Sequence, residues 1–206
     1  LKIGGELEAF ILAGGKSRRF GSDKALFEIA DEPLVKTLFL RLSPLFDRVR
    51  ILAKSGEPYA GLGLEVLADL REEQCPLVGI YSGLVHLGGG RAFFTACDLP
   101  LVDTGLVRYV VEASKGYDAA VPRTEKGLEP LCAVYDVACL PAIESALSAG
   151  HLKTDSFLPD VRARFLDEKD LKVHDPRMIS FWNVNTPGDM PFVIETIAKE
   201  RAKRCS

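Results

Sequence analysis

Ala9-Phe10-Ile11-Leu12-Ala13-Gly14-Gly15-Lys16-Ser17-Arg18-Arg19-Phe20-Gly21-Ser22-Asp23-Lys24 is a short apolar run that breaks into a glycine-spaced basic loop. Phe10, Ile11 and Leu12 read as a buried strand, because an unbroken apolar run bounded by turn residues suits a strand covered on both faces. Gly14 and Gly15 let the backbone turn where a side chain would clash, and they expose amide N–H groups to a ligand. Lys16, Arg18, Arg19 and Lys24 set cations beside those amides, a composition suited to a polyanion such as a nucleoside triphosphate. The same residue types also permit a plain solvated basic turn. The P-loop pattern does not account for the stretch: it requires a glycine five residues before Gly15, and that position is Phe10. A kinase-type phosphate loop is therefore disfavoured.

Outward from this loop the chain alternates between helix and strand patterns. Asp31-Glu32-Pro33 opens a helix whose apolar residues Leu34, Val35, Leu38, Phe39 and Leu42 share one face, and Ser43-Pro44 ends it. Val49, Ile51 and Leu52 give a strand. Residues 54–63, broken by glycine and proline, give a loop, and Val66-Leu67 gives a short strand closing at Asp69. Pro76 starts a helix through Leu87, stopped by Gly88-Gly89-Gly90. Ala92 to Cys97 is a second unbroken apolar strand ending in Asp98-Leu99-Pro100, and Asp103 caps a helix through Ala113.

The later pattern is less regular. Ala119 to Val121 reads as a strand, 123–127 as a turn, and 129–135 as an antiparallel or inserted strand. Pro141 opens a helix that Gly150 stops. Phe165-Leu166 is a weak strand, and 167–172 reads as a charged surface turn. Thr186 and Asp189 form a capping-box pattern with Pro187 at the first helical position, so a terminal helix is expected through Ile197. Asn183 and Asn185, placed on the strand end before it, point the same way. They serve either the turn backbone or a ligand that needs uncharged hydrogen-bonding groups.

Composition bounds the rest. A chain of 206 residues with 47% hydrophobic content can bury one substantial core, or one core plus a small lobe, and a single domain is expected. The alternation of strand and helix patterns reads as α/β with a mostly parallel sheet. A net charge of −3 offers no general attraction to nucleic acid or an anionic membrane. No bilayer-spanning run or signal-peptide core is present, and a soluble cytoplasmic protein is expected. Cys75, Cys97, Cys132, Cys139 and Cys205 are widely spaced with no C-x-x-C pair, so neither a disulfide framework nor a zinc site is indicated; Cys97 and Cys132 read as core residues. Asp98 has a different standing. It sits at the carboxyl end of a buried strand, where α/β sheets collect ligands, and a carboxylate there could hold Mg²⁺, which takes oxygen ligands and bridges phosphates.

Four strings in order carry a family resemblance: residues 12–26 (Leu-Ala-Gly-Gly-Lys-Ser-Arg-Arg-Phe-Gly-Ser-Asp-Lys-Ala-Leu), 76–79 (Pro-Leu-Val-Gly), 97–100 (Cys-Asp-Leu-Pro) and 183–187 (Asn-Val-Asn-Thr-Pro). The first resembles the signature of the nucleotidyltransferases that make sugar nucleotides and cofactor dinucleotides. All four, with 129–135, resemble the molybdenum cofactor guanylyltransferases over nearly the whole chain. The resemblance implies a Rossmann-like three-layer α/β/α nucleotidyltransferase fold and one domain over 1–206, with 1–115 mainly binding the nucleotide and 116–206 mainly the acceptor. It implies Mg²⁺-dependent transfer of GMP from GTP to molybdopterin, with cofactor-handover proteins as partners. Leu12, Ala13 and Gly14 would contact the guanine nucleotide, and Gly15 would admit its phosphates. Arg19 and Lys24 would neutralise the reacting triphosphate, Asp69 would bind the nucleotide, Asp98 the metal, and Asn183 and Asn185 would lie near the pterin side. Two family positions differ: an asparagine expected around Ile51 to Ala53 is absent, and Lys153 stands for an expected arginine. A cytidylyltransferase of the same superfamily and a nucleotide-binding protein without catalysis are the alternatives.

Overall fold

The apolar run from Ala9 has no polar face to turn to solvent, and it becomes the central strand of the molecule. The computed structural model describes residues 2–3, 7–13, 23–29 and 32–204. Strand β1 (Glu8–Leu12) is followed by a two-stranded ribbon, β2 (Glu28–Ile29) with β3 (Glu32–Pro33), and then by helix α1 (Leu34–Leu42), β4 (Arg48–Ala53) and β5 (Val66–Ala68). Helix α2 (Pro76–Leu87) leads to β6 (Arg91–Ala96), and α3 (Thr104–Ala113) to β7 (Ala119–Thr124). The remainder runs β8 (Gly127–Leu128), β9 (Cys132–Asp136), α4 (Leu140–Ser148), β10 (Ala163–Asp167), α5 (Glu168–His174) and α6 (Met190–Arg204).

The eight-stranded sheet has the order β10-β7-β9-β6-β1-β4-β5, with β8 paired to β7. Strands β5, β4, β1 and β6 are mutually parallel, as are β10 and β7, while β9 is inserted antiparallel between β6 and β7. From β1 the chain builds outward through β4 to β5, then returns to place β6 on the other side of β1. Crossovers of constant hand that reverse direction in this way must place their helices on opposite faces. The buried side chains agree. Ala9, Ile11 and Ile51 pack with α1, α3 and α5, whereas Phe10, Leu52 and Phe94 pack with α2 and α4. A smaller third cluster joins α6 to Leu34, Leu101 and Val184.

Helix α2 approaches the sheet closely because it carries glycine at two successive contact positions. A Cβ at Gly83 would lie 2.5 Å from Phe94 Cε1, and one at Gly79 would lie 2.7 Å from Leu12 Cδ2. The Pro-Leu-Val-Gly string thus lays a helix directly on the end of β1.

Four local expectations are corrected. Residues 167–172, read as a charged turn, begin α5: Leu171 is fully buried and Glu168 pairs with Lys172 one turn on, enough to hold a short helix. The turn expected over 123–127 is narrower, because β7 continues to Thr124 and pairs with β8. The loop over 54–63 contains a 3₁₀ helix, Glu57–Leu62. Helix α6 does not stop at Ile197 but continues to Arg204, since nothing after Ala198 breaks it and Glu195 pairs with Lys199. No helix among the described residues is long and apolar enough to cross a membrane.

Candidate active site at the switch point

In an open α/β sheet the strands that lead away in opposite directions leave a crevice at their carboxyl ends. Here those strands are β1 and β6. Leu12 lies opposite Ala96, the Cys97 N–H donates to the Leu12 carbonyl (3.0 Å), and the Ala13 N–H donates to the Leu52 carbonyl (2.8 Å). The chain therefore ends β1 at Leu12 and Ala13 beside the residue that follows Cys97, which is Asp98.

Lys24 reaches Asp98 from the far end of the glycine-rich stretch. Its ammonium lies 3.1 Å from Asp98 Oδ2, with both side chains mostly withdrawn from solvent. It sits at the start of a 3₁₀ turn (Lys24–Leu26), and Asp23 caps that turn by accepting from the Ala25 N–H (3.0 Å). The other oxygen, Asp98 Oδ1, is buried without a partner among the described residues. A buried carboxylate oxygen left unpaired costs stability, so its retention marks a place where a cation or donor is expected.

The C-terminal half contributes at the same point. The Val184 N–H donates to the Asp98 carbonyl at 2.9 Å, and Val184 is buried between the exposed Asn183 and Asn185. Both asparagines are exposed, but not on a strand: they lie in a segment outside the sheet, held by this one bond and by Asp189. One oxygen of Asp189 accepts from the Asn185 N–H (2.8 Å), the Thr186 N–H (2.7 Å) and the Thr186 hydroxyl (3.1 Å). Those bonds, the one from Asn185 foremost, hold the Asp189 carboxyl below the usual carboxylate range, and the Lys24 charge adds in the same direction. The Asn183 amide donates back to the Phe181 carbonyl at 3.3 Å.

Asp69 stands apart from this group. It follows β5, and its N–H donates to the Ala53 carbonyl (3.0 Å), so it lies along the same carboxyl edge three strands from β6, about 14 Å at ordinary strand spacing. Its Oδ1 is also buried and unpartnered. Burial raises its pKa, with the nearby His86 acting in the opposite direction. His86 is itself tied to β5, its Nε2 lying 3.1 Å from the Ala68 carbonyl.

The structure thus brings together Leu12, Ala13, Lys24, Asp98, Asn183 and Asn185, and sets Asp69 at the other end of one edge. Gly14, Gly15 and Arg19, like Lys16 and Arg18, lie outside the described residues. Among the described residues no three His, Cys, Asp or Glu side chains cluster as metal ligands. Cys97 and Cys132 are buried, as core residues should be. One residue that shapes this region escaped the sequence reading: Asp189 was legible only as a helix cap.

The chain is similar to known proteins in both sequence and fold. The MobA-like NTP transferase domain matches residues 9–162. Over 180 residues, the chain is 40% identical to the "Probable molybdenum cofactor guanylyltransferase" of Pelotomaculum thermopropionicum, covering 87% of this chain and 88% of that one. It is 34% identical over 182 residues to the molybdenum cofactor guanylyltransferase of Desulfosudis oleivorans, covering 87% and 90%. The crystal structure of molybdopterin-guanine dinucleotide biosynthesis protein A from Archaeoglobus fulgidus superposes with a TM-score of 0.82 at 26% identity, over 94% of this chain and all of that one.

Proposed function

The chain belongs to the MobA-like NTP transferase family, and from that premise we propose that it transfers GMP from GTP to the terminal phosphate of molybdenum-bound molybdopterin, giving molybdopterin guanine dinucleotide and pyrophosphate. The observation that carries the reading is the meeting at Asp98: its carboxylate faces Lys24, and its carbonyl holds the Asn183–Asn185 segment. Donor and acceptor elements converge on one residue.

An oxygen of the acceptor phosphate forms a bond to the α-phosphorus of GTP. The bond from that phosphorus to the bridging oxygen breaks, and the electron pair leaves with pyrophosphate. The attacking oxygen is already anionic, so no general base is required, and catalysis consists of aligning two polyanions while neutralising charge. Lys24 supplies one cation at the reacting phosphates and Arg19 is assigned another. Gly14 and Gly15 offer backbone N–H groups, while Leu12 and Ala13 border the nucleoside. Asn183 and Asn185 bind the acceptor without adding charge, which a bound triphosphate would oppose. Residues 1–115 then serve mainly the nucleotide and 116–206 mainly the acceptor.

The donor set also fits Mg²⁺. The ion accepts one or two carboxylates and takes its remaining oxygens from phosphate and water, and the unpartnered Asp98 Oδ1 is one such hard oxygen. When bound, Mg²⁺ would supply charge neutralisation at the phosphates. Asp98 is the residue assigned to hold it.

Asp69 supports guanine as the base. Guanine presents two adjacent donors on its pairing edge, which a single ionised carboxylate can accept together, whereas cytosine presents one amino group beside acceptors. Calorimetric titration with GTP, CTP and UTP in the presence of Mg²⁺ tests the assignment. GTP should bind about 100-fold more tightly than either pyrimidine nucleotide. Equal affinities would overturn the guanine reading, and GTP binding without pyrophosphate release on adding molybdopterin would overturn the catalytic one.

A further inference from the structure

Tyr59 is 1% exposed, in the core cluster between the sheet and α1, yet it carries a phenol where phenylalanine would fill nearly the same space. A buried hydroxyl needs a partner. Its partner is Asp23: the phenol donates to Asp23 Oδ2 at 2.6 Å, and Asp23 Oδ1 accepts from the Ala25 N–H. Both oxygens of one carboxylate are therefore committed, one to the core and one to the turn that begins with Lys24. That turn is closed by donation from the Leu26 N–H to the Asp23 carbonyl and from the Phe27 N–H to the Lys24 carbonyl.

The consequence is double. Lysine has a long, rotamer-rich side chain, and a fixed backbone beneath it reduces what must be ordered to bring its ammonium to Asp98. Asp23 would otherwise be a third negative charge near Lys24, competing with Asp98 for the ammonium and repelling the incoming triphosphate. Hydrogen bonding to Tyr59 turns that carboxylate toward the core. Burial, and secondarily the bond to Asp23, raises the phenol pKa, so Tyr59 remains a neutral donor at physiological pH.

We propose that Tyr59 is a positioning residue for nucleotidyl transfer, acting through Asp23 to hold Lys24 at the reacting phosphates. The proposal rests on the assignment of Lys24 and Asp98 given above, and goes beyond it by naming the residues that set the lysine in place.

The test is a double-mutant cycle of Tyr59→Phe and Lys24→Ala, read as pyrophosphate release at saturating GTP, Mg²⁺ and molybdopterin, and as the Kd for GTP with Mg²⁺ by calorimetry. Tyr59→Phe should lower turnover about tenfold or more and raise the Kd for GTP about threefold or more in the wild-type background, and should change neither appreciably once Lys24 is alanine. An unchanged Kd in both backgrounds would overturn the proposal where turnover cannot be read. Equal losses in both backgrounds would mean a merely structural role and would overturn the proposal. Should Lys24→Ala turn over too slowly to measure, the Kd arm decides alone. Should Tyr59→Phe fold poorly, Asp23→Asn replaces it: the variant keeps an acceptor for one donor, and should show the same dependence on Lys24. Normal turnover in Lys24→Ala itself would strike the assignment beneath. An impaired Lys24→Ala with additive Tyr59→Phe strikes only the inference.

Discussion

Removing either partner of the Lys24–Asp98 pair should separate catalysis from folding by a wide margin. At 3.1 Å and an effective dielectric of about 20, the attraction between the two charges is roughly 5 kcal/mol before desolvation is counted. Both groups retain some solvent access, and much of that attraction only offsets the cost of withdrawing them from water, so the net contribution to the fold is about 1 kcal/mol. In a chain of this length that is a fall in Tm of about 2–4 °C. The reaction is more demanding. Two polyanions must be held together at one phosphorus, and loss of a single electrostatic stabiliser typically costs about 10²-fold or more, close to 3 kcal/mol of barrier. Asp98→Ala and Lys24→Ala should therefore each slow pyrophosphate release at saturating GTP, Mg²⁺ and molybdopterin by at least about 10²-fold while the protein still melts cooperatively. The double variant should be little worse than the poorer single one, because the two groups act on the same charge. Turnover within about threefold of wild type in either single variant, a barrier change under 1 kcal/mol, would remove that residue from the mechanism.

Three further outcomes concern Asp69, Gly79 and the cysteines. Asp69→Asn should weaken GTP binding at least about tenfold by calorimetry, the scale of a hydrogen bond to a charged group. Because burial raises the Asp69 pKa, its contribution to stability is present below the ordinary carboxylate range and lost as the pH rises through the raised folded value. The asparagine variant should thus melt at or above wild type near about pH 7.5 and lose that advantage toward about pH 4; a variant that is less stable at neutral pH would contradict the assignment of an uncompensated carboxylate. Gly79→Ala puts a methyl 2.7 Å from Leu12 Cδ2 and 2.9 Å from Cγ, so it should cost about 1–3 kcal/mol by thermal melting and also raise the Kd for GTP. Unchanged affinity would detach Leu12 from the nucleotide. Burial pushes the Cys139 thiol up to about 12 and raises Cys132 as well, so in the native state a thiol reagent should label Cys75 alone among the four described cysteines. Rapid modification of Cys132 would mean that the core opens.

What the sequence made legible was whatever a single local rule decides. The helix over 76–87 begins at a proline and ends at three glycines, and both limits appear as expected. The unbroken apolar run before Asp98 could only be a strand covered on both sides, and it is. Residues 167–172 were misread as a turn for the opposite reason, since the helix there, Glu168–His174, has one buried leucine and a charged face and so carries no periodic signal, and its existence depends on the hydrophobic surface it lands on. Within the site, residue type announced Asp98 and Lys24, but nothing in the order of residues shows that Asp23 would face a tyrosine 36 positions away. Asn183 and Asn185 were recognisable as a pair two residues apart, while the strand assumed to carry them was not there; a backbone bond from Val184 to Asp98 holds the segment instead. Pairwise contacts between distant segments are set by the completed fold, and local patterns cannot encode them.

The antiparallel insertion of β9 bears on why one residue can serve both substrates. Had β7 paired directly with β6, the sheet would have continued as a regular parallel array, with its crevice lined by the first half of the chain. Inserting β9 moves β7 and β10 one strand further from the switch point, and the chain after α5 then returns along the α1 side. Buried Phe181 and Val184 anchor that return, and the Val184 N–H donates to the carbonyl of Asp98, just past the end of β6. The polypeptide thus ties Asn183 and Asn185, proposed above to face the acceptor, to the same residue whose carboxylate faces Lys24. A displacement of the Asn183–Asn185 segment would pull on the Asp98 backbone, so under the proposed assignment of these residues the spacing of the two substrates depends on one hydrogen-bonded peptide unit. This is the rigidity that an in-line displacement without a general base most needs, because alignment is almost all the protein contributes.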